Sequence, residues 1–198
     1  MNEIRPIQIS RSTAETRIQL ELNLLGEGKA DIKTGIGFLD HMLTLWAVHG
    51  LFDLSIQAVG DLHVDFHHTV EDIGICLGQA FRKAVGTAAG MRRYGHFSLP
   101  MDEALAHVYV DVSNRPYLVF NCAFSVNRIG EFDVELIEEF LRAFVLHSGL
   151  TLHVQVEYGK NGHHMVEAVF KAMARALSLA VSPEPRLQNR VFSSKGVL

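Results

Sequence analysis

One five-residue phrase returns in this chain with a single residue changed. His67-His68-Thr69-Val70-Glu71 returns as His163-His164-Met165-Val166-Glu167, 96 residues later in a chain of 198. Self-similarity at about half the chain length restricts the fold to two copies of one supersecondary unit. The hydrophobic pattern around the phrase repeats too. Residues 17–24 alternate, with Ile18, Leu20, Leu22 and Leu24 on one side, which predicts a half-buried strand. Gly26-Glu27-Gly28 turns it into a short strand over 30–33. A helix follows over 38–48, closed by Gly50, then a strand over 52–59 and a helix over 69–85. The second half predicts strands over 104–112 and 117–124 joined by a turn at 113–116. A helix over 133–146 ends before Gly149, and a strand over 151–158 leads into a helix over 165–181. Weak extra strands are expected near 5–10 and 95–99.

The expected class is therefore α+β. It is a tandem duplication of a ββαβα unit, with room for a leading strand, and each half is a mostly four-stranded sheet with helices on one face. The only joint is the stretch 86–95, which sets a first repeat at 1–90 and a second at 91–198. Together they form one compact unit, with the tail 183–198 expected near the active site. The length suffices to bury roughly 70% of the unfolded surface, so no disulfide or metal staple is needed to fold. Cys76 and Cys122 make no disulfide framework, which suits a reducing compartment. A net charge of −4 argues against a nucleic-acid partner. No apolar run approaches the ~20 residues of a membrane span, and residues 1–10 lack a signal-peptide core. The expectation is a soluble, cytoplasmic protein without membrane or nucleic-acid partners. What composition does not account for is eleven histidines.

Spacing sorts them. His67 and Glu71, like His163 and Glu167, are four apart, so each pair shares a helix face and can ligate one ion. His68 and His164 are rotated about 100° away and point to a second ion or to one shared with another copy. His41 precedes His49 by eight residues, as Glu139 precedes His147, which makes His41 and Glu139 repeat-equivalent. Two pseudo-symmetric sites are expected. One takes His41, His67, Glu71 and His164; the other takes Glu139, His163, Glu167 and His68. Nitrogen and oxygen ligands without thiolate suit Mn, Fe or Zn. Polar pairs kept simply by duplication are the alternative. His63, His96, His107 and His153 read as solvated or locally hydrogen-bonded side chains.

Longer stretches carry a resemblance. These are Thr13-Ala14-Glu15-Thr16, Gly35 through Leu43, His67 through Asp72, Pro100 through Ala104, Arg115-Pro116-Tyr117, His163 through Glu167, and Ser193-Ser194-Lys195-Gly196. On them, over essentially its whole length, the sequence closely resembles the imidazoleglycerol-phosphate dehydratase family of histidine biosynthesis. The resemblance implies a carbon–oxygen lyase that removes water from imidazole glycerol phosphate to give imidazole acetol phosphate. It implies two Mn2+ per active site, gripping the substrate imidazole as imidazolate, and trimers assembling into a 24-subunit shell with metal sites between subunits. It places Glu15 as the base at an otherwise non-acidic C–H, with His49 beside the substrate and Glu71 and Glu167 among the catalytic groups; Lys171, two turns past His164 on the same helical face, is placed to contact the substrate as a catalytic group, the alternative being an ordinary solvated helix lysine. It places Arg93, Arg115, Ser193, Ser194 and Lys195 at the phosphate. Where the family usually has histidine the chain has Glu139, with Glu138 as a competing oxygen ligand. Two other readings use the same residues: a metal-dependent hydrolase of a phosphorylated metabolite, and a non-catalytic metal-binding scaffold.

Overall fold

The computed structural model describes residues 6–198. Its first half runs β1 (Ile7–Ser12), β2 (Thr16–Asn23), β3 (Ala30–Lys33), α1 (Gly37–Gly50), β4 (Asp53–Gly60) and α2 (His67–Val85). Its second half runs β5 (Tyr94–Met101), β6 (Ala104–Asp111), β7 (Tyr117–Asn121), a small hairpin of β8 (Arg128–Ile129) and β9 (Phe132–Asp133), α3 (Glu135–Ser148), β10 (Thr151–Tyr158) and α4 (Gly162–Val181). The two sheets have matching orders, β1-β2-β4-β3 and β5-β6-β10-β7. In each, the last strand runs parallel to its neighbour and the others are antiparallel. The duplicated α+β unit is thus present, with a leading strand in both halves. Part of the segment expected as the first strand, at Arg5, lies outside the described residues.

Alternation explains how the layers close. Ile18, Leu20 and Leu22 of β2 and Leu152 and Val154 of β10 are buried, while their neighbours in sequence face outward. The buried faces take the helices: α2 packs on β1 and β2, and α4 on β5 and β6. Across the middle the helices pair between halves, α1 with α4 and α2 with α3. The result is sheet, helix layer, helix layer, sheet, with one continuous apolar core. This crossed pairing decides which ligands meet.

Three local expectations change. Helix α1 continues through Gly50, and Leu51 takes the left-handed turn at φ 57°. A Cβ on Gly50 would collide with the Phe52 ring, so this glycine serves a close approach rather than the turn. Gly149 does end α3, at φ 76°. The strand expected over 117–124 stops at Asn121, and the β8–β9 hairpin intervenes, too short to show a period.

Candidate metal centre

Both histidine phrases open a helix. Asp65 Oδ1 accepts the His67 N–H at 2.8 Å, and Asn161 Oδ1 accepts the His163 N–H at 2.9 Å. These side chains satisfy amide groups that the first helical turn leaves unpaired. The helix starts are therefore built alike, two residues before each phrase, and each pair of histidine and glutamate four apart lies on one helix face.

Among the described residues, His41, His163 and Glu167 form a group whose ligand atoms all lie within 4.8 Å of one another. Glu167 Oε1 stands 2.9 Å from His41 Nε2 and 3.1 Å from His163 Nε2. Atoms about 2.1 Å from an octahedral ion are roughly 3 Å apart, so the separations fit a metal. The other carboxylate oxygen, Oε2, accepts from Lys171 Nζ, which also lies 3.2 Å from Met101 Sδ. Burial alone would raise the Glu167 carboxyl. Hydrogen bonds from Lys171 and His41, the charge of Lys171 and a hydrogen bond from His163 together bring it down to about 2. Burial, then the charges of Lys171 and Arg175, lower His49 and favour its neutral form.

The partition of ligands thus differs from the one expected. His41 joins the second phrase, not His67 and Glu71, because α1 packs on α4 rather than on α2. Glu139 is correspondingly not part of the His163–Glu167 group; it sits on α3, the partner of α2, at the place equivalent to His41. Arg142 takes Glu138 at 2.6 Å and stands 4.0 Å from Glu139. Glu71 lies near His147, which burial and then Arg11 lower while Glu71 opposes them.

His68 and His164 stay off these faces. His68 Nδ1 is 2.9 Å from Asp61, and its Nε2 is 3.7 Å from Glu15. His164 Nδ1 is 2.7 Å from Glu103, and its Nε2 is 3.9 Å from Asp102. Glu15 sits in the tight β1–β2 turn. Thr13 Oγ1 accepts the N–H of Glu15 and of Thr16, and the Thr16 hydroxyl donates to Asp72 on α2. Arg11 donates to the same Asp72 at 2.8 Å. The turn is thereby fastened to the helix that carries His68.

The expected phosphate residues gather elsewhere. Arg93, Arg115, Ser193, Ser194 and Lys195 line one cavity of about 600 Å³. Arg93 is buried and its guanidinium is already committed, to Asp111 at 2.7 and 3.1 Å and to the Phe192 carbonyl at 2.8 Å. It holds the tail in place. Arg115 is exposed, stands 3.6 Å from Asp111, and has guanidinium donors left to face an anion. No residue of the three-ligand group lines this cavity. Sequence reasoning gave no site role to Asp61, Asp102 or Glu103, although Asp102 and Glu103 fall in the stretch 100–104 that carries the resemblance. Nothing in their spacing links them to the histidines, and only the hairpin and loop geometry brings them there.

Fold and geometry define a class: a duplicated α+β protein with a histidine–carboxylate group suited to a transition metal. A family model described as imidazoleglycerol-phosphate dehydratase matches residues 34–177. The imidazoleglycerol-phosphate dehydratase of a Clostridium botulinum strain is 59% identical over 191 residues, covering 96% of this chain and 97% of the relative. That of Methylorubrum extorquens is 54% identical over 195 residues, covering 98% and 100%. The crystal structure of the Staphylococcus aureus enzyme superposes with a TM-score of 0.83 at 42% identity, covering 90% of this chain and 99% of that one. The Pyrococcus furiosus enzyme, in complex with (S)-C348, gives 0.82 at 39% identity, covering 96% and 100%. The chain belongs to the imidazoleglycerol-phosphate dehydratase family.

Proposed function

We propose that this chain, a hydro-lyase of histidine biosynthesis by its family, dehydrates imidazole glycerol phosphate at an active site of two Mn2+ ions shared between copies. One ion site takes His41, His163 and Glu167; the other takes their repeat equivalents Glu139, His67 and Glu71. His68 and His164, rotated off both faces, complete the sites of neighbouring copies. The observation that carries this reading is the three-ligand group built across the two halves. Nitrogen and carboxylate donors without thiolate fit manganese. Glu139 is the α3 ligand because Arg142 engages Glu138 more closely.

Bound manganese would act as a Lewis acid on the ring nitrogens of the substrate and make the ring electron pair available for expelling the hydroxyl. The rest falls to the protein. Glu15, exposed beside His68 Nε2, takes the proton from carbon. Lys171 balances the Glu167 charge and faces the substrate beside it, with neutral His49 close by. Arg115 and Lys195 bind the phosphate, Ser193 and Ser194 add donors, and Arg93 fixes the tail that carries them. The phosphate cavity and the metal group share no lining residue, which favours an active site completed by assembly of copies; the family resemblance implies trimers within a 24-subunit shell. Work in the cytoplasm fits the two free cysteines. No described helix is long and apolar enough to cross a membrane.

The test is an assay with imidazole glycerol phosphate, after chelation and again after manganese is restored. Loss and recovery of imidazole acetol phosphate formation is the expected result; turnover that survives full chelation, or release of inorganic phosphate alone, overturns it. Glu15→Gln should keep its manganese and lose about 100- to 10,000-fold in turnover, the usual worth of a positioned base. Unchanged turnover would remove Glu15 from that role.

A further inference from the structure

The two histidines that lie off the ligand faces are each held from behind by a carboxylate. His68 Nδ1 meets Asp61 Oδ2 at 2.9 Å, and His164 Nδ1 meets Glu103 Oε2 at 2.7 Å. An ionised carboxylate only accepts, so Nδ1 carries the proton in both rings, and in the neutral ring, the form that binds a metal, Nε2 is then the nitrogen with the lone pair. Ring nitrogens that bind metals are commonly oriented in this way, and loss of the outer partner typically weakens metal binding 10- to 100-fold.

Descent does not explain the pairing. β2 and β6 are both eight residues long, and Glu15 and Glu103 stand immediately before them. Glu103 is thus the repeat equivalent of Glu15, yet Glu103 faces Nδ1 of its histidine whereas Glu15 faces Nε2. Asp61 follows β4, where the second half has Gly159 after β10. The two halves reach the same arrangement with residues that are not equivalent, as expected where the ring's tautomer matters and the ancestry of the carboxylate does not.

We propose that Asp61 and Glu103 are positioning residues for manganese: each fixes its histidine in the tautomer that presents Nε2 as the ligand to a neighbouring copy. This rests on the assignment of His68 and His164 as ligands made above. The two differ in rigidity. Glu103 Oε1 also accepts the N–H of Lys160 at 3.1 Å and of Asn161 at 2.7 Å, which ties the β5–β6 turn to the start of α4. Asp61 Oδ1 is buried without a partner, so among the described residues His68 is the one side chain that Asp61 hydrogen-bonds. Asp61→Asn therefore alters a single side-chain hydrogen bond, the one to His68. Glu103→Gln keeps a carbonyl oxygen for the two backbone amides and removes the charge and the obligate acceptor. Either amide can donate to Nδ1 and move the ring proton to Nε2, where it blocks ligation.

The experiment titrates Mn2+ into the metal-stripped full-length protein and reads binding from the electron paramagnetic resonance signal of free Mn2+. Asp61→Asn, Glu103→Gln, His68→Asn and His164→Asn are compared with the unaltered chain, alongside thermal melts of each metal-free form. The expected result is 10- to 100-fold weaker binding at one class of site in Asp61→Asn and Glu103→Gln, with melts unchanged. Glu103→Asp and Asp61→Glu, which restore the charge, should recover part of the loss. Unaltered Mn2+ binding in Asp61→Asn and Glu103→Gln, while the histidine variants lose theirs, overturns the proposal and leaves the ligand assignment standing. If the histidine variants also bind normally, the ligand assignment itself is wrong. A metal-free melt lowered as much as binding, with no recovery in the charge-restoring variants, assigns both carboxylates to structure alone and likewise overturns it.

Discussion

The two helix pairs at the centre of the molecule occupy equivalent places and are furnished differently. In α1–α4, His41 faces Glu167, and Lys171 sits one turn beyond it. In α2–α3 the same places hold Glu139, Glu71 and Ile75. The first pair gathers a buried carboxylate, two imidazoles and a lysine into a group already shaped for an ion. The second puts two carboxylates at matching places with isoleucine instead of lysine. Its helices are also pressed together: a Cβ on Gly74 would stand 2.7 Å from the Phe140 carbonyl, and on Gly78 2.6 Å from that of Phe144. A duplicated site thus need not be duplicated in its electrostatics. The α1–α4 group carries its own cation in Lys171, whereas at the α2–α3 place Arg142 stands only within 4.0 Å of Glu139.

Three changes probe that difference, in falling order of effect. Lys171→Ala leaves Glu167 buried without its cation and should destabilise the metal-free protein by about 3–5 kcal/mol in urea unfolding at pH 7. The folded-state carboxyl is depressed to about 2, so this contribution is present above its unfolded value and is lost as pH falls toward 2. The gap between variant and parent should close over that range. A loss below about 1 kcal/mol at pH 7 would mean that Glu167 is not balanced by Lys171. Gly74→Ala overpacks the tighter pair and should cost about 1–3 kcal/mol by thermal unfolding. A neutral or stabilising result would show that α2 and α3 can separate freely. Acid provides the mildest probe. The hydrogen bonds that His68 and His164 donate to Asp61 and Glu103 raise both rings, so they take up protons above the ordinary histidine value of about 6.5. Manganese held through them should leave as pH falls through that region, while Glu167 is still anionic. Retention of full metal content down to about pH 4.5, well below that value, would exclude both rings as ligands.

Local features were legible in the sequence and pairings between halves were not. The strand alternation at 17–24 and 151–158 and the spacing of His67 to Glu71 each depend on one element, so period alone gives their faces. The equivalence of His41 and Glu139 was legible as well, because the repeat carries it. Which phrase each would join was not, because it follows from α1 packing on α4. The signal was present in Gly74 and Gly78, whose missing side chains admit α3 against α2, but a helical glycine does not name its partner. The β8–β9 hairpin has strands of two residues and no period to read. Asp61 and Glu103 reach their histidines across 7 and 61 residues of chain, through turns whose geometry the spacing does not encode.

The central claim is the crossed sharing of ligands. Diffraction from manganese-loaded crystals at the manganese absorption edge locates the ions directly. The account predicts two anomalous peaks per chain, one bound by His41, His163 and Glu167 and the other by Glu139, His67 and Glu71, each completed by His68 or His164 of a neighbouring copy. A peak bound by His41 together with His67 and Glu71 would contradict it.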